Sequence, residues 1–345
     1  MRRFFSLLCV GVGWCFGPFS TCLGQVPAVP ALSNLLAGSF TWTVASPLAS
    51  PASRPADPCM SVKDPSIVQF DGRWHIFSTI RSKVRTHQIE YISFADWKDA
   101  NSANRHVLKC CDGYFCAPQV FRFSRDGRWY LVYQAPDETK KEIRPVYSTT
   151  TNLVDPYSWG KPIPFYAQRP ANVKGWIDFW VIADDAKAYL FFTSLDGRMW
   201  RAETKLADFP GGWGEPKVVL QADILEAAHV YALKGLKKYL ALIEAQADGR
   251  RYYKAYISDS LDGSWQGLAD TRQKPFASPV NVRDTAAHWT DSFSHGELLR
   301  EGCDEKLEVN PNRLRFLFQG VSDERRQGKA YGEIPWQLGL LEPGE

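Results

Sequence analysis

The sequence predicts an all-β chain, a five-bladed β-propeller, on three observations. A turn signal followed by an aromatic or β-branched run occurs five times. These units stand roughly 50 to 60 residues apart, with a longer gap before the fifth. Long stretches of helical periodicity are nearly absent. A Gly-, Asp- or Asn-rich turn feeding a β-prone run is a hairpin signature, and a small antiparallel unit repeated about an axis makes a propeller. A β-sandwich or a two-sheet jelly roll is the competing architecture.

The units follow in order. Asp71-Gly72-Arg73-Trp74 leads into His75-Ile76-Phe77-Ser78, and Asp126-Gly127-Arg128-Trp129 into Tyr130-Leu131-Val132-Tyr133. Asp184-Asp185-Ala186-Lys187 precedes Tyr189-Leu190-Phe191-Phe192-Thr193, and Lys234-Gly235-Leu236-Lys237 precedes Tyr239-Leu240-Ala241-Leu242-Ile243. The fifth unit is Asn310-Pro311-Asn312-Arg313 before Leu314-Arg315-Phe316-Leu317-Phe318. Ahead of the repeats, residues 25–58 carry Pro at 27, 30, 47, 51, 55 and 58, and read as extended or linker chain with one short strand at Phe40-Thr41-Trp42-Thr43-Val44. The propeller is expected over 59–345.

Composition narrows the partners. The chain has 345 residues, 45% hydrophobic and 14% aromatic, which excludes a disordered or fibrous chain. A formal net charge of +3 argues against a nucleic-acid footprint and against polybasic membrane docking. The 13 Trp, 14 Tyr and 20 Phe suit either a β-rich core or a carbohydrate surface, because a ring face packs well on the apolar side of a sugar. Arg2-Arg3, the apolar stretch Phe4 to Phe16 and the small residues near Gly24 read as a secretory signal over 1–24, with lipidation at Cys22 as the second reading. The product is expected to be secreted and monomeric.

Of eight cysteines, Cys9, Cys15 and Cys22 fall in this leader, leaving Cys59, Cys110, Cys111, Cys116 and Cys303. An odd number leaves at least one thiol without an internal partner. Cys110 or Cys111 with Cys116 would close a tight loop and is the expected disulfide.

In a propeller the innermost strand of each blade runs beside the axis and enters its hairpin turn. Counting back about seven residues from each turn lands on Asp64, Gln119, Asp178 and Glu226, with His295 as the looser fifth candidate. A charge inside Trp176-Ile177-Asp178-Phe179-Trp180 is costly to bury unless paired or used. Three carboxylates converging on one axis suggest glycoside hydrolysis, which needs one acid kept protonated for the leaving oxygen and one ionised carboxylate to activate water or attack carbon. Taken singly, Asp64 before Pro65 could open a turn, Asp178 could be a paired core acid, and Gln119 a satisfied core amide. No Gly-rich phosphate loop, Gly-x-Ser-x-Gly elbow or His-Glu-x-x-His motif is present.

Six blocks run in order along the chain: Lys63-Asp64-Pro65-Ser66-Ile67-Val68, Ala117-Pro118-Gln119-Val120-Phe121, Trp176-Ile177-Asp178-Phe179-Trp180-Val181-Ile182, Glu226-Ala227-Ala228-His229-Val230-Tyr231, Ser294-His295-Gly296-Glu297-Leu298 and Ile334-Pro335-Trp336-Gln337-Leu338-Gly339-Leu340. Together they resemble glycoside hydrolase family 62, the arabinoxylan arabinofuranohydrolases. The resemblance implies a five-bladed propeller and inverting α-L-arabinofuranosidase activity on arabinoxylan. It implies Asp64 as general base, Glu226 as general acid and Asp178 as the residue that tunes and orients the acid. Lys63 and Gln119 are implied to line the arabinose pocket, with Tyr331 at its rim, and Trp180 is placed in the same substrate-binding set. His295 is implied to support an axial ion, usually calcium, mostly through water. Ala228-His229 departs from a Ser-Asn pair common in relatives, and Asn312 stands where a Cys is often found. A family 43-like β-xylosidase or arabinanase, and a non-catalytic xylan-binding propeller, remain as alternatives.

Overall fold

A computed structural model of the chain describes residue 1, residues 30–137 and residues 142–344. The expected signal segment beyond Met1, with Cys9, Cys15 and Cys22, lies outside the described residues.

Five sheets of four or five strands form the five blades. Blade one runs outward through Cys59–Phe70, Arg73–Ser82, Thr86–Phe94 and His106–Val107. Blade two holds Cys116–Arg122, Trp129–Asp137, Glu142–Thr150 and Ile163–Pro164. Blade three holds Ile177–Ala183, Lys187–Thr193, Arg198–Lys205 and Lys217–Gln221. Blade four holds Glu226–Leu233, Tyr239–Ala247, Arg250–Ser258 and Gln266–Ala269, and Glu308–Val309 pairs parallel with its inner strand. Blade five starts at Ser292–Leu298 and passes through Phe316–Val321 to Gln337–Pro343.

Blade five also closes the ring. Trp42–Val44 pairs antiparallel with Gln337–Pro343 and parallel with Val282–Asp284. The propeller therefore takes in chain from before Cys59. The segment expected to be extended also holds a short helix, Pro30–Leu36. Pro suits a first helical position, where its missing N–H is no loss, and Leu35 buries into the core.

The turns explain the local structure. Asp71 and Gly72 take φ of 49° and 71° between the paired Phe70 and Arg73, the left-handed pair that a two-residue hairpin requires. In blade two, Asp126 Oδ1 accepts the Arg128 N–H at 2.9 Å, and its Oδ2 accepts Tyr130 O–H at 2.9 Å. Asp184 repeats this in blade three, accepting Lys187 N–H at 2.7 Å and Tyr189 O–H at 2.9 Å. The loops differ in length, however: Arg122 pairs with Trp129 and Ala183 with Ala188.

Most of the aromatic load is core. Trp180, Trp336, Tyr133, Tyr189, Tyr231 and Tyr253 are fully buried, each side chain contributing about 2–3 kcal/mol of burial. The expected disulfide is not made, because Cys116 carries a free thiol. Its Sγ donates to Tyr114 Oη at 3.1 Å and accepts from Gln134 Nε2 at 3.3 Å. Cys110 instead packs in an apolar cluster with Phe77, Tyr91 and Tyr133. Among the described residues no helix is long and apolar enough to cross a membrane.

Candidate active site

Near its start each inner strand slips register against the second strand of its blade, at Lys63/Ser66, Cys116/Gln119, Ile177/Trp180, Glu226/His229 and Ser294/Gly296. A bulge of this kind re-aims side chains and leaves the extra residue outside the ladder. The first bulged residue is left-handed in four blades: Asp64 (φ 47°), Ala117 (φ 53°), Asp178 (φ 57°) and Ala227 (φ 54°). Asp64 and Asp178 are thus equivalent, as the count from the turns implied. Glu226 is not: it stands one residue earlier, level with Lys63. Gln119 stands two residues later, level with Trp180. Unequal loop lengths shifted the count.

The side chains from these positions converge. Asp64 Oδ2 lies 3.7 Å from Lys63 Nζ. His295 Nδ1 is 3.6 Å from Asp64 Oδ1 and 3.7 Å from Asp178 Oδ2, so one nitrogen faces both carboxylates. Asp178 Oδ2 also accepts the Ala227 N–H at 3.1 Å, which ties blade three to the strand carrying Glu226. Glu226 Oε1 accepts from Arg251 Nη1 at 2.8 Å. The same guanidinium pairs with the fully buried Glu244, whose Oε2 accepts Ser294 O–H at 2.8 Å and His295 N–H at 2.7 Å. Tyr331 sits on the short turn Tyr331–Glu333 and is 47% exposed. Its ring lies 5.0 Å from Lys63 Nζ and 5.6 Å from Arg251, and so bridges the Asp64 and Glu226 sides.

Electrostatics separates the acids. Burial alone would raise the Asp64 carboxyl, but Lys63, then His295 and a Thr79 hydrogen bond, outweigh it and hold Asp64 below its ordinary value. Asp178 has no lysine beside it. Burial, then the Glu226 and Asp64 charges, push it well above the carboxylate range. Burial pushes Glu244 up to about 7, with Arg251 pulling against it. Burial lowers His295 below its ordinary value, against the pull of Asp64.

Asp178 therefore opposes folding at high pH. A carboxyl raised in the native state favours folding below its unfolded-state value, and that contribution is lost as pH rises through the native value. Asp178→Asn removes the charge and keeps an oxygen for the Ala227 N–H. The variant should melt above the wild type at pH 8, and the gap should close toward pH 4. Thermal unfolding across that range checks this, and a gap that does not widen with pH would contradict it.

Gln119 and Trp180, the other two expected substrate residues, lie buried between blades. Gln119 is fully buried; its Nε2 donates to Val181 O and its Oε1 accepts Val181 N–H, both at 2.7 Å. Its amide staples blade two to blade three. Trp180 is 1% exposed, donates Nε1–H to Val230 O at 2.9 Å and stacks on His229 with ring centroids 4.0 Å apart. Both stand just after the bulge, where the strand's alternation has turned the side chain between blades. The expected axial ion is one held mostly through water with His295 as its protein support; calcium takes six to eight oxygen ligands, so water would supply most of them. His295 Nδ1 faces the two aspartates, and among the described residues no group of three His, Cys, Asp or Glu could hold a metal ion by itself.

Glu244 and Arg251 escaped the sequence reading because it searched only inner strands. Glu244 ends the apolar run Leu240-Ala241-Leu242-Ile243, and that polar ending was an available signal.

The profile of glycosyl hydrolase family 62 matches residues 41–342. The chain belongs to this family. It is 36% identical over 319 residues to α-L-arabinofuranosidase C of Cellvibrio japonicus, an alignment covering 90% of this chain and 48% of that protein, so the chain spans about half the length of that curated relative. Among solved structures, the catalytic domain of a Coprinopsis cinerea family 62 α-L-arabinofuranosidase superposes with a TM-score of 0.83 at 38% identity, covering 89% of this chain and 98% of that one. A Podospora anserina α-L-arabinofuranosidase in complex with cellotriose gives a TM-score of 0.83 at 36% identity, with the same coverage. A family 62 hydrolase in complex with xylotriose gives 0.82 at 34%, covering 88% and 97%. In this family 62 chain, the His229 that departs from the common Ser-Asn pair is buried, its Nδ1 2.7 Å from Gly296 O.

Proposed function

We propose that the chain is a secreted, inverting α-L-arabinofuranosidase that removes arabinofuranosyl branches from arabinoxylan. The observation that carries this reading is the grouping of Asp64, Asp178 and Glu226 at the blade axis, with His295 facing the first two and the Tyr331 ring beside both Lys63 and Arg251, the partners of the first and third. The relatives named above support the arabinose branch as the group removed. One of them is solved with xylotriose and another with cellotriose, which supports a β-1,4-linked backbone as the surface the enzyme meets. Arg2-Arg3 and the apolar run after it support secretion.

The roles follow from the environments. Asp64, held ionised beside Lys63, deprotonates a water on one face of the sugar. That water attacks the anomeric carbon. Glu226 protonates the departing xylose oxygen from the other face; Arg251 occupies Oε1, so the proton is carried on Oε2. Asp178 holds the Ala227 amide beside Glu226. An inverting pair stands about 6.5–9.5 Å apart so that the water fits between acid and base.

Proton NMR of the first arabinose released from wheat arabinoxylan tests the reading. Inversion gives the β-anomer first, with the α-anomer appearing only by mutarotation. An α-anomer first would overturn the inverting scheme, and xylose or linear arabino-oligosaccharides as products would favour a family 43-like activity. Affinity for xylan with no free sugar would mark a binding propeller.

A further inference from the structure

The extra residue in each bulge has a backbone N–H that the strand ladder does not use. The structure gives four of these five amides a partner by one device. The acceptor is the second-strand side chain paired with the residue just before the previous blade's bulge. Gln319, opposite Ser294 in blade five, accepts Asp64 N–H at 2.7 Å. Thr79, opposite Lys63, accepts Ala117 N–H at 2.9 Å. Gln134, opposite Cys116, accepts Asp178 N–H at 3.3 Å. Glu244, opposite Glu226, accepts His295 N–H at 2.7 Å. The fifth member is Thr193, opposite Ile177. Its Oγ1 is buried without a partner, because the Asp178 carboxylate has taken the Ala227 N–H instead.

We propose that Gln319 and Gln134 are positioning residues that fix the left-handed bulges of Asp64 and Asp178 from the neighbouring blade, and that Asp178 has replaced Thr193 in the same ring to fix the bulge next to Glu226. The inference rests on the roles given above to the three acids. Each glutamine is itself held: Gln319 Nε2 donates to Ser294 Oγ at 3.0 Å, and Gln134 Nε2 to Tyr114 Oη at 3.3 Å. The acids are thus aimed across blade boundaries, so the geometry of one blade depends on how tightly its neighbour is packed. Glu244 shows that a carboxylate can serve in this ring, since it accepts both Ser294 O–H and His295 N–H.

The test compares four variants. Gln319→Leu and Gln134→Leu should each lower kcat on arabinoxylan by about ten- to a hundredfold, the range a small misplacement costs, with KM changed little. Gln319→Glu keeps the acceptor and should recover most of the lost kcat at alkaline pH. Its acidic limb should move to higher pH, because the new charge beside Asp64 counters Lys63 and His295. Thr193→Val should keep wild-type kcat. Wild-type kcat in Gln319→Leu, or an unshifted profile in Gln319→Glu, overturns the inference. So does a loss in Thr193→Val equal to that in Gln134→Leu. Gln319→Glu reads the same contact should the leucine variant fail to fold. Asp64→Asn run alongside separates the two failures: an active Asp64→Asn sinks the assignment of the acids, whereas an inactive one beside an unaffected Gln319→Leu sinks only the ring.

Discussion

Asp64→Asn should lower kcat on arabinoxylan by about 10³-fold, within the range that positioned proton transfer supplies. Asn preserves the shape of the side chain and is among the residues best tolerated at positive φ, so the bulge at φ 47° survives. The backbone bond to Gln319 survives too, since Asp64 gives it through its N–H. What disappears is the charge that takes the water's proton. That charge also compensates Lys63, which is 7% exposed, so the variant should keep its β-sheet circular dichroism but melt a few degrees lower. Azide gives a sharper check. It needs no deprotonation, so with 4-nitrophenyl α-L-arabinofuranoside it can attack the anomeric carbon as nitrophenolate leaves, and should restore part of the rate as the β-glycosyl azide. A kcat within threefold of the wild type would remove Asp64 from the mechanism.

Glu226→Gln should cost about as much on arabinoxylan and much less on the nitrophenyl glycoside. The xylose hydroxyl is a poor leaving group and needs a proton as the bond breaks, whereas nitrophenolate leaves without one. Gln can still accept the Arg251 hydrogen bond through its oxygen, so Arg251 stays between positions 226 and 244 and the fold is undisturbed. Equal losses on the two substrates would place Glu226 in binding rather than in proton donation. Glu226 stands level with Lys63 and not with Asp64, so acid and base come from different positions in their bulges.

Much of this was legible in the sequence, and the reasons differ by residue. Asp71-Gly72 and the capping aspartates Asp126 and Asp184 announce their turns because the chemistry of a tight turn is local. Asp64 and Asp178 were legible because they stand a similar distance before similar turns. Glu226 emerged from the same count although it occupies a different bulge position. That Gln119 and Trp180 pack between blades was not legible, because strand alternation slips at the bulge and a slip of one residue turns a side chain from the axis to the space between blades. The Cys116 pairing was misjudged for a related reason: closeness in sequence does not say which face of a strand a thiol takes.

The sequence by itself determined the repeat, the turns and the acid-bearing inner strands, since these depend on residues within a few positions of one another. Tertiary structure alone decided that Trp42–Val44 completes the blade ending at Pro343. It also decided that Gln319 aims Asp64 from 255 positions away, and that Arg251 joins Glu226 to Glu244. Those contacts exist only once the ring closes, because closure is what brings one blade's second strand against the next blade's first.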